Sequence, residues 1–131
     1  MNDSAGYRKT RIAPTPSGFL HLGNVLSFCI TAAIARKNGT AILLRIDDLD
    51  HTRVRKPYVQ DIFDTLNFLD IPWDEGPRNA SEFENSFSQK YRIPMYRRAI
   101  RELSDKGLVY ACTCTRSQVN DTGYTCNCRG K

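Results

Sequence analysis

In the stretch "RIAPTPSGFLHLGN", residues 11–24, a histidine stands where a proline-rich loop runs into helix-forming residues. The imidazole of His21 can donate a hydrogen bond to a phosphate oxygen without carrying a full charge. Gly23, two residues on, lets a base or ribose approach helix backbone that a side chain would block. The start of a helix presents free N–H groups and the positive end of its dipole, which favour an anion. Neither common phosphate-binding glycine pattern is present: there is no G-x-G-x-x-G and no G-x-x-x-x-G-K-S or -T. Taken alone, the loop has two readings, a rigid turn carrying a half-buried histidine or an anion-binding loop.

Two further groups of residues could do chemistry. The carboxylates of "RIDDLD", Asp47, Asp48 and Asp50, could stand solvated, cap a helix or hold a metal. Four of the five cysteines, Cys112, Cys114, Cys126 and Cys128, fall within 17 residues, whereas Cys29 sits alone in an apolar run. "CTC" and "CNC" bracket the 11-residue loop "TRSQVNDTGYT". Paired thiols at the two ends of a short hairpin can close a tetrahedral Zn²⁺ site, although C-x-C is tighter than the common C-x-x-C. The other reading is four free or oxidised surface thiols. A reducing cytosol argues against a disulfide framework.

The elements that must position these residues follow from periodicity. "YRKTRIA" alternates as a strand does. Leu22, Val25, Leu26, Cys29, Ala32 and Ala33 recur at helical spacing, with Gly39 a stop and Asn24 the cap unless Leu22 and Gly23 already belong to the first turn. "TAILLRI" is a short apolar run that reads as a buried strand, so the first forty-odd residues form a right-handed parallel βαβ unit. Pro57 opens a second helix with the stripe Val59, Ile62, Phe63, Leu66 and Leu69. A third helix spans Pro94 to Lys106, closed by Gly107, and "LVYACTC" begins an extended segment. The composition, 40% hydrophobic and 25% charged over 131 residues, is that of about one globular domain. The net charge of +5 suits a polyanion such as nucleic acid. No apolar run reaches a membrane span and no signal-peptide core is seen, so a soluble cytoplasmic protein, likewise monomeric, is expected.

"RIAPTPSGFLHLGN", "RIDDLD" and "WDEGP", in that order, resemble the glutamyl-tRNA synthetase group of class I aminoacyl-tRNA synthetases. "HLGN" looks like the HIGH signature of that class. The resemblance implies the first half of a Rossmann-like α/β nucleotide-binding fold with a small zinc-binding hairpin. It also implies activation of glutamate by ATP, with Mg²⁺, and transfer of glutamate to tRNA. By position, Arg11 would pair with the glutamate side chain, Ala13 and Thr15 would line its pocket, and Asp47 would face its ammonium group. Pro14, His21, Gly23 and Asn24 would contact ATP, His21 at the α-phosphate and Gly23 beneath the adenosine. Asp47 stands where the family pattern, "RIEDTD", has Glu, and Thr15 where Ser is commoner. "CTCTR" after "LVYA" is similar to the glutamyl-Q tRNA(Asp) synthetase branch, which glutamylates the queuosine base of tRNA(Asp). The alternatives are a glutamyl-tRNA synthetase fragment that charges the tRNA 3′ end, or a non-catalytic zinc-stabilised RNA-binding module. Relatives carry "CTC" followed by Tyr-x-x-x-Cys, which Tyr124 and Cys128 match. A thiolate is a better zinc ligand near neutral pH than a phenol with a pKa of about 10, so Cys126 is preferred to Tyr124. The expected division is residues 1–107 for the catalytic half and 108–131 for the zinc insertion. No K-M-S-K-S-like stretch is present, so the 131 residues alone are expected to be inactive.

Overall fold

The computed structural model describes residues 8–115 and Cys128, and the chain divides into two compact units between Tyr91 and Arg92. In the first unit β1 (Lys9–Ile12) leads through the proline-rich loop into α1 (Leu22–Asn38), which returns to β2 (Ala41–Leu44). The two strands are parallel, with Lys9 opposite Ala41 and Ile12 opposite Leu44. This is the expected βαβ unit.

The ladder runs on past the strands. The N–H of Arg45 donates to the carbonyl of Ile12 and that of Asp47 to the carbonyl of Pro14, each at 2.9 Å. Beyond β2 come α2 (Lys56–Phe68), a short α3 (Ala80–Glu82), a π-turn over Phe83–Phe87 and a 3₁₀ turn over Gln89–Arg92. In the second unit α4 (Ile93–Asp105) ends at Gly107, whose φ of +66° suits glycine. Leu108 to Thr115, expected as extended chain, forms neither helix nor strand.

The core of the first unit joins Ile12, Ile42, Leu44 and Ile46 from the strands and their continuation to Val59, Ile62, Phe63 and Leu66 of α2. The α2 stripe is the one that the sequence indicates, and Leu69 packs at its edge. On α1 the buried face differs from the expected one. Phe28 and Ala35 are buried, with Cys29 and Ala32 packed beside them, whereas Leu22 and Leu26 are 81% and 58% exposed. Apolar residues occur all round this helix, so periodicity could not choose its inner face; the fit against β1 and β2 did. Of the two readings of its start, the one with Leu22 and Gly23 in the first turn holds. His21 is the N-cap and Asn24 the N3 residue, joined in a reciprocal capping box. Gly39, φ +61°, ends the helix as expected.

"WDEGP" runs along the free edge of β2. Asp74 N–H donates to the Ile42 carbonyl, Leu44 N–H to the Glu75 carbonyl, both at 2.8 Å, and Asp74 Oδ2 accepts from Ile42 N–H at 2.7 Å. The turn needs glycine: Gly76 has φ +107°, and a Cβ there would lie 2.2 Å from the Leu44 carbonyl oxygen. Gly76→Ala is therefore expected to cost at least about 2–3 kcal/mol, since both the backbone conformation and the close approach are lost. Chemical denaturation of the two proteins side by side checks this; equal midpoints would show that the turn relaxes freely.

Candidate functional site

Carboxyl ends of parallel strands, where loops enter helices, form natural ligand clefts. Here the loop after β1 and the first turns of α1 enclose a cleft of about 480 Å³, within the usual range for small-molecule sites. Arg11, Ala13, Pro14, Thr15, His21 and Asn24 all line it. Six residues chosen from the sequence thus converge on one space.

His21 is fixed through its backbone and its ring. Its backbone N–H donates to Asn24 Oδ1 and its ring Nδ1 accepts from Gly23 N–H, each at 3.1 Å. With Nδ1 an acceptor, the neutral imidazole carries its proton on Nε2, which leaves Nε2–H free to donate. Gly23 does not line the cleft. A Cβ on it would meet the His21 ring, 3.0 Å from Cε1 and 3.1 Å from Nδ1, so glycine makes room for the folded-back imidazole. No acidic residue stands in the first turn of α1. Exposed Arg11, the His21 donor and the positive end of a 17-residue helix therefore make the cleft suited to anions.

Asp47 is brought beside the cleft by its backbone bond to Pro14, but its carboxylate pairs with Arg45 Nη2 at 3.3 Å. Arg45 Nε is buried without a hydrogen-bond partner among the described residues. Asp48 is only 4% exposed, accepting from Ser88 Oγ at 2.5 Å and Gln89 N–H at 2.8 Å, so it pins the later turns rather than capping a helix. Asp50 accepts from the Thr52 hydroxyl at 2.7 Å.

Sequence reasoning missed Ser27 and Thr31, which also line the cleft. Their signal was present, because Asn24, Ser27 and Thr31 follow the helical repeat and so share a face. It also missed Asp61, whose Oδ2 accepts from Leu20 N–H at 2.8 Å across 41 residues of sequence. Nothing local marks such a contact.

In the second unit the Sγ atoms of Cys112, Cys114 and Cys128 lie within 4.8 Å of one another, and Cys114 and Cys128 are 3.7 Å apart. Tetrahedral Zn²⁺ with bonds of about 2.3 Å spaces its sulfurs about 3.8 Å apart, which is the spacing of Cys114 and Cys128, and Cys112 stands close enough to join them. Cys126 and Tyr124 lie outside the described residues.

Residues 8–127 match the family model for the catalytic domain of class I tRNA synthetases of the glutamate and glutamine type. The chain belongs to this family. Its fold is accordingly that of a class I synthetase, α/β with parallel strands. The chain is 35% identical over 112 residues to a glutamate–tRNA ligase of Dehalococcoides mccartyi, covering 86% of this chain and 23% of the ligase. It is 39% identical over 110 residues to a glutamyl-Q tRNA(Asp) synthetase of Rhodobacter capsulatus, covering 84% of this chain and 36% of that one. The crystal structure of the glutamate–tRNA synthetase from Elizabethkingia anophelis matches with a TM-score of 0.67 and 26% identity, over 86% of this chain and 22% of that structure. The chain thus spans between about a fifth and a little over a third of these relatives. Among the described residues no helix is long and apolar enough to cross a membrane.

Proposed function

We propose that the protein activates glutamate with ATP and transfers it to tRNA, with the queuosine base of tRNA(Asp) as the acceptor. The observation that carries this reading is the convergence of Arg11, Thr15, His21 and Asn24 on one cleft at the start of α1. In the first step the glutamate α-carboxylate attacks the α-phosphorus of ATP and pyrophosphate leaves. The protein's part in such a step is to position reactants and to stabilise spreading negative charge. His21 Nε2–H is the donor for that charge. The Arg11 guanidinium takes the glutamate side chain in a two-pronged pair that lysine cannot reproduce. Ala13 and Thr15 line the same pocket, Pro14 and Asn24 shape the ATP side, and Gly23 leaves room for the imidazole. Asp47 receives the ammonium group once its carboxylate turns from Arg45.

A structural zinc, held by Cys112, Cys114, Cys128 and Cys126 or Tyr124, would tie the second unit together. The charge distribution supports an RNA partner. Of the 19 Lys and Arg and 14 Asp and Glu, eight and three lie in Arg92–Lys131, so the whole net charge of +5 belongs to the second unit. Arg97, Arg98 and Arg101 stand exposed on α4, as phosphate contacts require.

The test is glutamate-dependent exchange of pyrophosphate into ATP by the full gene product. Exchange without tRNA supports the glutamyl-Q reading, and exchange only with tRNA assigns the protein to the glutamyl-tRNA synthetases. RNA binding with no exchange in either case leaves the non-catalytic module. In the active protein Arg11→Lys should raise KM for glutamate about 10- to 100-fold, the effect of losing one prong of a charge-assisted pair. Glutamine used as readily as glutamate by the wild type would remove the carboxylate pairing.

A further inference from the structure

Residues 13–21 form neither helix nor strand, so although α1 holds His21 from its first turn, no regular structure stiffens the residues just before it. Two contacts from α2 reach the two residues that precede His21. Asp61 Oδ2 accepts the Leu20 N–H at 2.8 Å, and the Tyr58 ring meets Phe19 edge-on, with centroids 4.9 Å apart and planes at 81°. Tyr58 and Asp61 are three residues apart and hence neighbours on one side of α2. That side flanks the buried stripe of Val59, Ile62, Phe63 and Leu66, and both residues are only partly buried. Phe19 is 65% exposed, so burial does little to hold it.

We propose that Asp61 is a positioning residue for His21, with Tyr58 in support. The carboxylate anchors the peptide N–H one residue before His21, while Asn24 and Gly23 hold the histidine backbone and ring from the other side. Three successive clamps thereby set the direction of Nε2–H. A charged acceptor on a half-buried amide is a strong hydrogen bond, which suits a joint that no strand or helix stiffens. The enzymatic part of this proposal rests on the glutamate-activation reading; the structural part does not.

The experiment compares Asp61→Ala, which removes the acceptor, with Asp61→Asn, whose amide oxygen can still accept. In the 131-residue chain, NMR of Asp61→Ala should show hydrogen exchange at the Leu20 amide accelerated about 10- to 100-fold and the Nε2–H tautomer signature of His21 replaced by a mixture. Asp61→Asn should stay near wild type in both. In the full gene product, Asp61→Ala should lower kcat of adenylate formation about 10- to 100-fold with KM for glutamate unchanged, the pattern of a misplaced catalytic group. Asp61→Asn should recover to within about threefold of wild type. An unaltered His21 ring and unaltered kcat in Asp61→Ala would overturn the proposal. So would an Asp61→Asn variant that is as impaired as Asp61→Ala while its Leu20 amide remains protected. Should Asp61→Ala fail to fold, Tyr58→Leu decides: a shift of the His21 ring signals supports the brace, and unshifted signals refute it. A wild type that forms no adenylate defeats the functional reading, and the NMR comparison still settles the positioning role.

Discussion

His21→Ala in the full gene product is expected to slow glutamate activation about 100- to 1,000-fold, the usual effect of deleting one donor aimed at developing transition-state charge. Glutamate affinity should change little, because in the proposed arrangement the imidazole addresses the phosphate and Arg11 the amino acid. The structure makes the expectation specific. Nδ1 is committed to the Gly23 N–H, so the donor available to a ligand is Nε2–H. Gly23→Ala should therefore have a smaller effect of the same kind, as its methyl would press on the ring from 3.0 Å. Single-turnover adenylate formation and equilibrium glutamate binding, measured on the same proteins, separate the two steps. An unchanged rate in His21→Ala would leave the loop as a rigid turn with an idle histidine.

The second large effect concerns the metal. One zinc per chain should co-purify, and its removal by a chelator should loosen residues 108–131 while the βαβ unit stays folded. The loop "TRSQVNDTGYT" offers few apolar residues, and the described stretch Leu108–Thr115 has no strand or helix of its own. Metal ligation would then contribute much of what holds the segment, and apparent zinc binding of about 10–16 kcal/mol in small structural sites is ample for that. Cys114→Ser should abolish stoichiometric zinc, since Cys114 stands 3.7 Å from Cys128 in the cluster. Cys126→Ser and Tyr124→Phe, compared directly, identify the fourth ligand. Metal analysis together with amide exchange over residues 108–115 checks both statements. A freshly reduced preparation without zinc, and with the same exchange pattern before and after chelation, would leave the thiols as ordinary surface groups.

Much of the local organisation was legible from the sequence. Pro57 and the stripe from Val59 to Leu66 specified α2 and its inner face, because one side of that helix is apolar and the other is not. Gly39 and Gly107 marked helix ends through their left-handed backbone. "RIAPTPSGFLHLGN" marked the cleft because its prolines, glycines and histidine occupy a strand-to-helix junction, where backbone N–H groups are free by necessity. Arg11, Ala13, Pro14, Thr15, His21 and Asn24 are named through the family resemblance, and they line one cleft because a short loop keeps sequence neighbours together in space.

Only the tertiary structure decided the rest. The inner face of α1 is set by Phe28 and Ala35 against the strands, as a helix that is apolar all round carries no directional signal of its own. The carboxylate of Asp48 is drawn inward to Ser88 and Gln89, where a run of acidic residues suggested exposure. Gly76 must be glycine because a neighbouring strand passes within 2.2 Å of its missing side chain. The brace from Asp61 to Leu20 joins residues 41 apart. Periodicity and turn chemistry act over a few residues, whereas these four features depend on surfaces that meet only once the chain has closed upon itself.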